Sequence, residues 1–241
     1  MDLELLILTV AALLTGISKF SVGGMGMLVL PILMIVYPGP EVLGVLIPLY
    51  LWNDLAVMFC YRQRINWRII AALAPLLVLG MALGSWLLQG LDADRFRLLT
   101  GTMILAMLGL SLWLDDHQSQ WLRHPLASRG AGLLGGLISM TTNTAGPLLS
   151  LYLMEQPLDK RAYMSTRAWI FILVNVFKVP LLIGLGLMTW ESTQTSLWGI
   201  PGLALGGLIG FWLVRRLQFA QFKWLIRGTA ALAAIKLFVF S

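Results

Sequence analysis

Apolar runs separated by short polar gaps set the pattern of this chain. Six runs, 42–60, 69–91, 98–114, 168–188, 196–214 and 225–241, are each near 20 residues, the length a helix needs to cross the bilayer core. Two further apolar segments are interrupted. Segment 3–37 is broken by Ser18-Lys19-Phe20-Ser21-Val22-Gly23-Gly24-Met25-Gly26, and segment 130–154 by Ser139-Met140-Thr141-Thr142-Asn143-Thr144-Ala145-Gly146-Pro147. Gly and Pro break helices, while Ser, Thr and Asn satisfy the backbone groups set free. Each interrupted segment predicts a helical hairpin whose second arm starts near Met25 or Ala145.

The pattern repeats. Pro75, Gly80, Gly84, Trp86, Leu87, Leu91 and Phe96 return as Pro201, Gly206, Gly210, Trp212, Leu213, Leu217 and Phe222, each 126 positions later. Asn53 is echoed by Asn175, and Gly16 and Gly26 match Gly136 and Gly146 at a separation of 120. Two homologous halves follow, 1–115 and 128–241, joined by a polar connector, 116–127.

Loop charges orient the halves. If each interrupted segment crossed once, Arg and Lys would divide five against seven between the two faces. If each enters and returns on one side, Arg62, Arg64, Arg68, Arg123, Arg129, Lys160, Arg161, Arg215, Arg216 and Lys223 gather on one face, with only Arg95 and Arg97 opposite. Ten against two obeys the positive-inside rule. The expected fold is an all-α polytopic membrane protein of two inverted-topology repeats, each a broken helical hairpin plus three transmembrane helices. The arm 130–140 is expected to be about 16 Å long and to end near mid-bilayer. Ser119 and Ser192 are expected on opposite faces. The start, Met1-Asp2-Leu3-Glu4, lacks the basic residues of a cleaved leader, so the first run is expected in the mature protein.

Composition agrees. Of 241 residues 59% are hydrophobic and 12% charged, and the mean hydropathy is +0.84. A soluble enzyme of this size cannot cover that much apolar surface. The net charge of +6 lies in the gaps between runs, as topology signals do, so no nucleic-acid partner is expected. One cysteine, Cys60, and two histidines, His117 and His124 in the connector, leave no metal centre and no cofactor in view. There is no GxSxG, HExxH or P-loop, so the chain is not expected to be an enzyme or to use ATP.

Two tips entering from opposite faces would meet near the midplane. Helix N-termini there present free N–H groups to an anion. Lys19, Ser21, Gly23 and Gly24 on the first tip, and Thr142, Asn143 and Thr144 on the second, are the expected substrate-binding residues, with Asn53 and Asn175 on flanking spans. A lysine so deep in an apolar segment is costly unless paired, hydrated, or snorkelling from a shallow position. Asp54 and Lys178 are candidates for coupling or gating, or for an intramembrane ion pair. Arg167 reads as a gate or, more readily, an interfacial anchor, Trp52 and Trp169 as walls or packing, and the Gly80/Gly84 and Gly206/Gly210 pairs as close helix packing.

Gly23-Gly24-Met25-Gly26 before Leu30-Pro31, and Gly135-Gly136-Leu137-Ile138-Ser139 through Asn143 to Gly146-Pro147-Leu148, resemble the two matched motifs of the TauE/SafE sulfite exporter family. The second tip holds fewer glycines than that pattern. The resemblance spans essentially the whole chain. It implies a multi-pass secondary permease of the bacterial inner membrane, moving sulfite, sulfonates or related organosulfur anions, often outward, by alternating access. The competing readings are a passive anion channel, and a membrane-embedded enzyme or assembly subunit. The expected partners are a small anion and the lipid bilayer. The number of subunits is open, a homodimer among the choices.

Overall fold

The computed structural model describes residues 3–20, 26–116 and 125–216, together with Gly228. Ten helices account for the described fold, and no strand occurs among these residues. In the first half they are α1 (Leu3–Phe20), α2 (Gly26–Leu33), α3 (Val42–Cys60), α4 (Trp67–Leu88) and α5 (Ala93–Asp116). In the second they are α6 (Pro125–Thr142), α7 (Gly146–Met154), α8 (Lys160–Gly184), α9 (Trp190–Leu197) and α10 (Ile200–Arg216). Four of them, α1, α3, α4 and α8, are long and apolar enough to cross a membrane, and the bent pair α9 and α10 makes a fifth if it counts as one span.

Both interrupted segments fold as hairpins. At the first tip the Gly26 N–H donates to Ser18 Oγ at 2.9 Å, and at the far end the Tyr37 hydroxyl donates to the Glu4 carboxylate. The chain that leaves from Glu4 therefore returns to it. In the second hairpin a Cβ on Gly135 would lie 2.9 Å from Leu149, so α7 doubles back along α6. The short arms start at Gly26 and Gly146, one residue past the expected positions.

Three sequence expectations change. The arm 130–140 is part of the longer α6 of 18 residues, about 27 Å at 1.5 Å per residue. Pro125 opens this helix, where its missing N–H costs nothing, and the following residues contain no break. The half-length arm is α7, with 9 residues. Run 196–214 is not one straight helix, because α9 and α10 meet at 55°. A capping box between Thr189 and Ser192 starts α9, and Pro201 in the first turn of α10 supplies no N–H to a continuous ladder. Run 69–91 appears as Trp67–Leu88, begun by the Asn66 side chain, which accepts from Ile69 N at 3.2 Å. Run 225–241, His117 and His124 lie outside the described residues.

Glycine sets how the halves grip each other. A Cβ on Gly80 would meet Leu133 O at 2.1 Å, and one on Gly206 would meet Leu13 O at 2.1 Å. Gly84 abuts Leu137 O as Gly210 abuts Ile17 O, and Gly136 abuts Leu77 O as Gly16 abuts Leu203 O. Each correspondence keeps the offsets of 126 and 120 read in the sequence (206 − 80 and 133 − 13). So α4 lies parallel to α6, and α10 parallel to α1, at separations only glycine permits.

The two ends of α3 fix which loops share a face. Beyond its C-terminal end, Arg64 pairs with Asp159 at 2.5 Å, and Asn66 N donates to Thr166 Oγ1 at 2.9 Å. Asp159 also caps α8 by accepting from Ala162 N at 2.7 Å. That N–H, and then the Arg64 guanidinium, hold the Asp159 carboxyl below the usual carboxylate range. At the N-terminal end, Gly44 touches Leu187 O. Thus α4 starts at one end of the bundle, and α9 and α10 start from the other.

Candidate functional site

The tips meet over a small cavity lined by Thr15, Ser18 and Lys19 of α1, Gly26 and Met27 opening α2, Tyr50 of α3, Asn143 with Gly146 and Pro147 opening α7, and Arg167 and Phe171 of α8. Its volume is about 40 Å³, room for about three waters. The first turns of both short arms border it, which suits a negative ligand. Asn143 sits at φ 56°, the left-handed region in which Asn is among the more tolerant side chains. Its N–H donates to Ser139 O at 3.2 Å, closing α6.

Lys19 is buried rather than snorkelling, and its Nζ donates to Asp54 Oδ1 at 2.6 Å. It lies 4.7 Å from the Tyr50 ring centroid and 5.6 Å from that of Phe171. Arg167 faces the same Phe171 ring at 5.1 Å, and its Nε donates to Ser150 Oγ at 3.1 Å. Aromatic faces stabilise such desolvated cations. Asp54 Oδ2 accepts from Asn175 Nδ2 at 2.6 Å, so both carboxylate oxygens are engaged. Lys178 instead donates from Nζ to Asn143 Oδ1 at 2.6 Å. The direct Asp54–Lys178 ion pair considered from the sequence is therefore not formed.

Arg167 corrects the sequence reading. It is 5% exposed, a cavity residue and no interfacial anchor. The signal was in the helical phase. Arg167, Phe171, Asn175 and Lys178 follow at i, i+4, i+8 and i+11 on one face of α8. Tyr50 and Asp54 make the same i, i+4 step on α3. Neither Tyr50 nor Phe171 was singled out, because an aromatic in an apolar run gives no polar signal.

Several expected site residues stand behind the cavity. Asn53 Nδ2 donates to Thr15 O at 3.2 Å, and Asn175 holds Asp54. The Thr142 and Thr144 hydroxyls bond each other at 2.7 Å. Trp169 lies edge-on to Trp67, with centroids 5.3 Å apart, and Trp52 is 40% exposed. Ser21, Gly23 and Gly24 lie outside the described residues.

Among the described residues the buried charged side chains are Lys19, Asp54, Arg167 and Lys178. Three basic side chains stand against one carboxylate, so the buried interior is basic on balance. A charge this deep costs several kcal/mol unless neutralised, so a negative guest is the natural complement.

Such a fold and site define a polytopic all-α membrane protein. The family described as Sulfite exporter TauE/SafE matches residues 8–237. The chain belongs to this family, and so to a class of membrane transporters of sulfur-containing anions. No curated protein and no solved structure matches it.

Proposed function

We propose that the protein is a secondary exporter of small organosulfur anions, sulfite or a sulfonate first among them, working by alternating access around the cavity between the hairpin tips. The observation that carries this reading is the pair of buried basic side chains, Lys19 and Arg167, that line it. The two halves are inverted repeats in this reading. What supports it is that α6 runs with α4, which starts beside Arg64, while α1 runs with α10, which starts at the opposite end of α3. The Arg64–Asp159 pair also speaks for it, since a single crossing of each interrupted segment would send those two loops to opposite faces. The membrane is the bacterial inner membrane, with the Arg64 face cytoplasmic. Impermeant thiol labelling is expected to reach Ser192→Cys from outside intact cells and Arg64→Cys only after the membrane is opened, both in a Cys60→Ser background. Labelling of both from one side overturns the topology.

Asp54 is the candidate for coupling or gating in this reading, since an anion arriving at Lys19 competes with the Asp54 carboxylate for it. The residues holding substrate are Lys19 and Asn143 with the tip residues Ser21, Gly23 and Gly24. Thr142, Thr144, Asn53 and Asn175 shape the site from behind, and Lys178 positions Asn143. Liposomes holding the purified protein are expected to take up labelled sulfite saturably, with counterflow. Lys19→Ala and Asn143→Ala should each lose at least about tenfold in flux, the scale of one charge-assisted hydrogen bond. Parent-like transport by both variants overturns the site. Linear, unsaturated flux makes the protein a channel instead. Folded protein without flux for any of sulfite, sulfoacetate and taurine favours an enzyme or assembly subunit.

A further inference from the structure

We infer that Lys178 is a positioning residue that holds the Asn143 amide with its N–H group toward the bound anion, and so tunes the site to oxyanions carrying no proton. The inference rests on the anion-transport reading above and adds a selection rule to it.

A primary amide has an accepting end and a donating end, and which end faces a ligand decides what that ligand must offer. At Asn143 the orientation is set by Lys178, whose Nζ donates to Oδ1 at 2.6 Å and so takes up the accepting end. Lys178 is 1% exposed and reaches Asn143 from α8. The left-handed backbone at Asn143, φ 56°, closes α6 and fixes where the side chain starts. What remains free is rotation of the amide itself, and Lys178 removes that.

The consequence lies on the other end. Asn143 Nδ2 is buried, with the Tyr50 hydroxyl as a neighbouring side-chain group and no hydrogen bond of full geometry to a described residue. Asn143 borders the cavity together with Lys19, Arg167 and Tyr50. A buried donor left unmet destabilises the empty state, and a ligand oxygen with a free lone pair removes that penalty. Three groups at this cavity can only donate: the Lys19 ammonium, the Arg167 guanidinium and Asn143 Nδ2. The hydroxyls of Thr15, Ser18 and Tyr50 can serve either way. Asp54, whose carboxylate could accept from a protonated ligand, does not line the cavity and has both oxygens engaged.

A sulfonate, or sulfite with no proton, presents acceptors to all three fixed donors. A hydrogen-bearing oxyanion that turns its O–H toward Asn143 sets two donors against each other. Sites built on fixed hydrogen-bond direction reject such mismatches strongly. Without Lys178 the amide turns over at little cost and accepts from the O–H, and the discrimination goes.

The test uses the full chain in detergent, with heat stabilisation by methanesulfonate and by inorganic phosphate titrated at one pH. The parent protein is expected to bind methanesulfonate at least about tenfold more tightly than phosphate, the scale of one unmet buried donor. Lys178→Met should weaken both anions, because the Asn143 amide loses the group that holds it. Its distinguishing mark is a fall in the ratio to about threefold or less, which a merely structural loss does not cause. Asn143→Asp places an acceptor at the same point and should reverse the preference toward phosphate. Either variant suffices if the other fails to fold. Equal affinities in the parent overturn the inference, and so does an unchanged ratio in a folded variant. A parent that binds neither anion defeats the underlying anion-site reading as well, and is recognised by that absence.

Discussion

Gly80→Ala and Gly206→Ala are each expected to cost more than about 3 kcal/mol and to leave little folded protein, far beyond what a glycine-to-alanine change does on an open helix face. Each new methyl would sit 2.1 Å from a main-chain carbonyl oxygen, that of Leu133 or Leu13. A backbone oxygen within a helix cannot turn aside as a side chain can. The helices must part instead, and contact is lost along the whole interface. Gly109→Ala and Gly184→Ala are the controls, since a Cβ at either site meets nothing within 4 Å; both should be neutral or slightly stabilising. Thermal unfolding followed by size-exclusion chromatography gives the measurement. The two damaging variants should match within about 0.5 kcal/mol, the usual limit of independent additivity. A mild effect at one and a severe effect at the other would mean that the two interfaces are not equivalent.

Asp54→Ala is expected to destabilise the protein by about 3–5 kcal/mol, the range for breaking a buried ion pair by removing one partner. It strands Lys19 among two other buried basic side chains and leaves Asn175 without its acceptor. Asp54→Asn keeps the shape and should cost less than the alanine variant, yet it should lose flux, because the charge that pairs with Lys19 is gone. The double variant Asp54→Leu with Lys19→Met should recover most of the stability, since replacing both partners by apolar groups is often neutral or better. It should still not transport. Recovery of flux in the double variant would assign the pair to architecture alone.

Much of this fold was legible because lipid imposes a simple grammar. An apolar run the length of a bilayer, bounded by polar residues, has little choice but helix, and 42–60 emerges with those limits as α3. The hairpin tips were legible for the opposite reason. Gly, Thr and Asn in the middle of an apolar stretch defeat a helix locally, and the short arms begin at Gly26 and Gly146, one residue from where that argument put them. The glycine pairs read as close helix packing do sit against a neighbouring helix backbone. The bend between α9 and α10 was hidden, because mean apolarity does not register a Pro that meets Gly199 and the polar segment before it. At the site, individual polar residues in apolar runs stood out, and Lys19, Asn143 and Lys178 all carry contacts there. Pairing was not legible. Nothing in the chain says that Asp54 goes to Lys19 rather than Lys178, since that choice depends on how α1, α3 and α8 are rotated about their axes. Arg167 was misjudged by position, seven residues from the start of α8 at Lys160. It belonged to a stripe visible only when the helix is read in phase.

The exchange of partners between halves has a consequence for how the chain is made. When α6 leaves the ribosome, the helix it leans on, α4, is already in place. The first hairpin has no such luck: α1 ends at Phe20 and α10 begins at Ile200, so the 179 residues between them must be synthesised before its glycine-faced neighbour begins to appear. Until then its polar tip waits in lipid beside whatever the insertion machinery provides. By this packing, the second hairpin meets its glycine-faced partner as soon as it is made, and the first hairpin meets its own only near the end of synthesis.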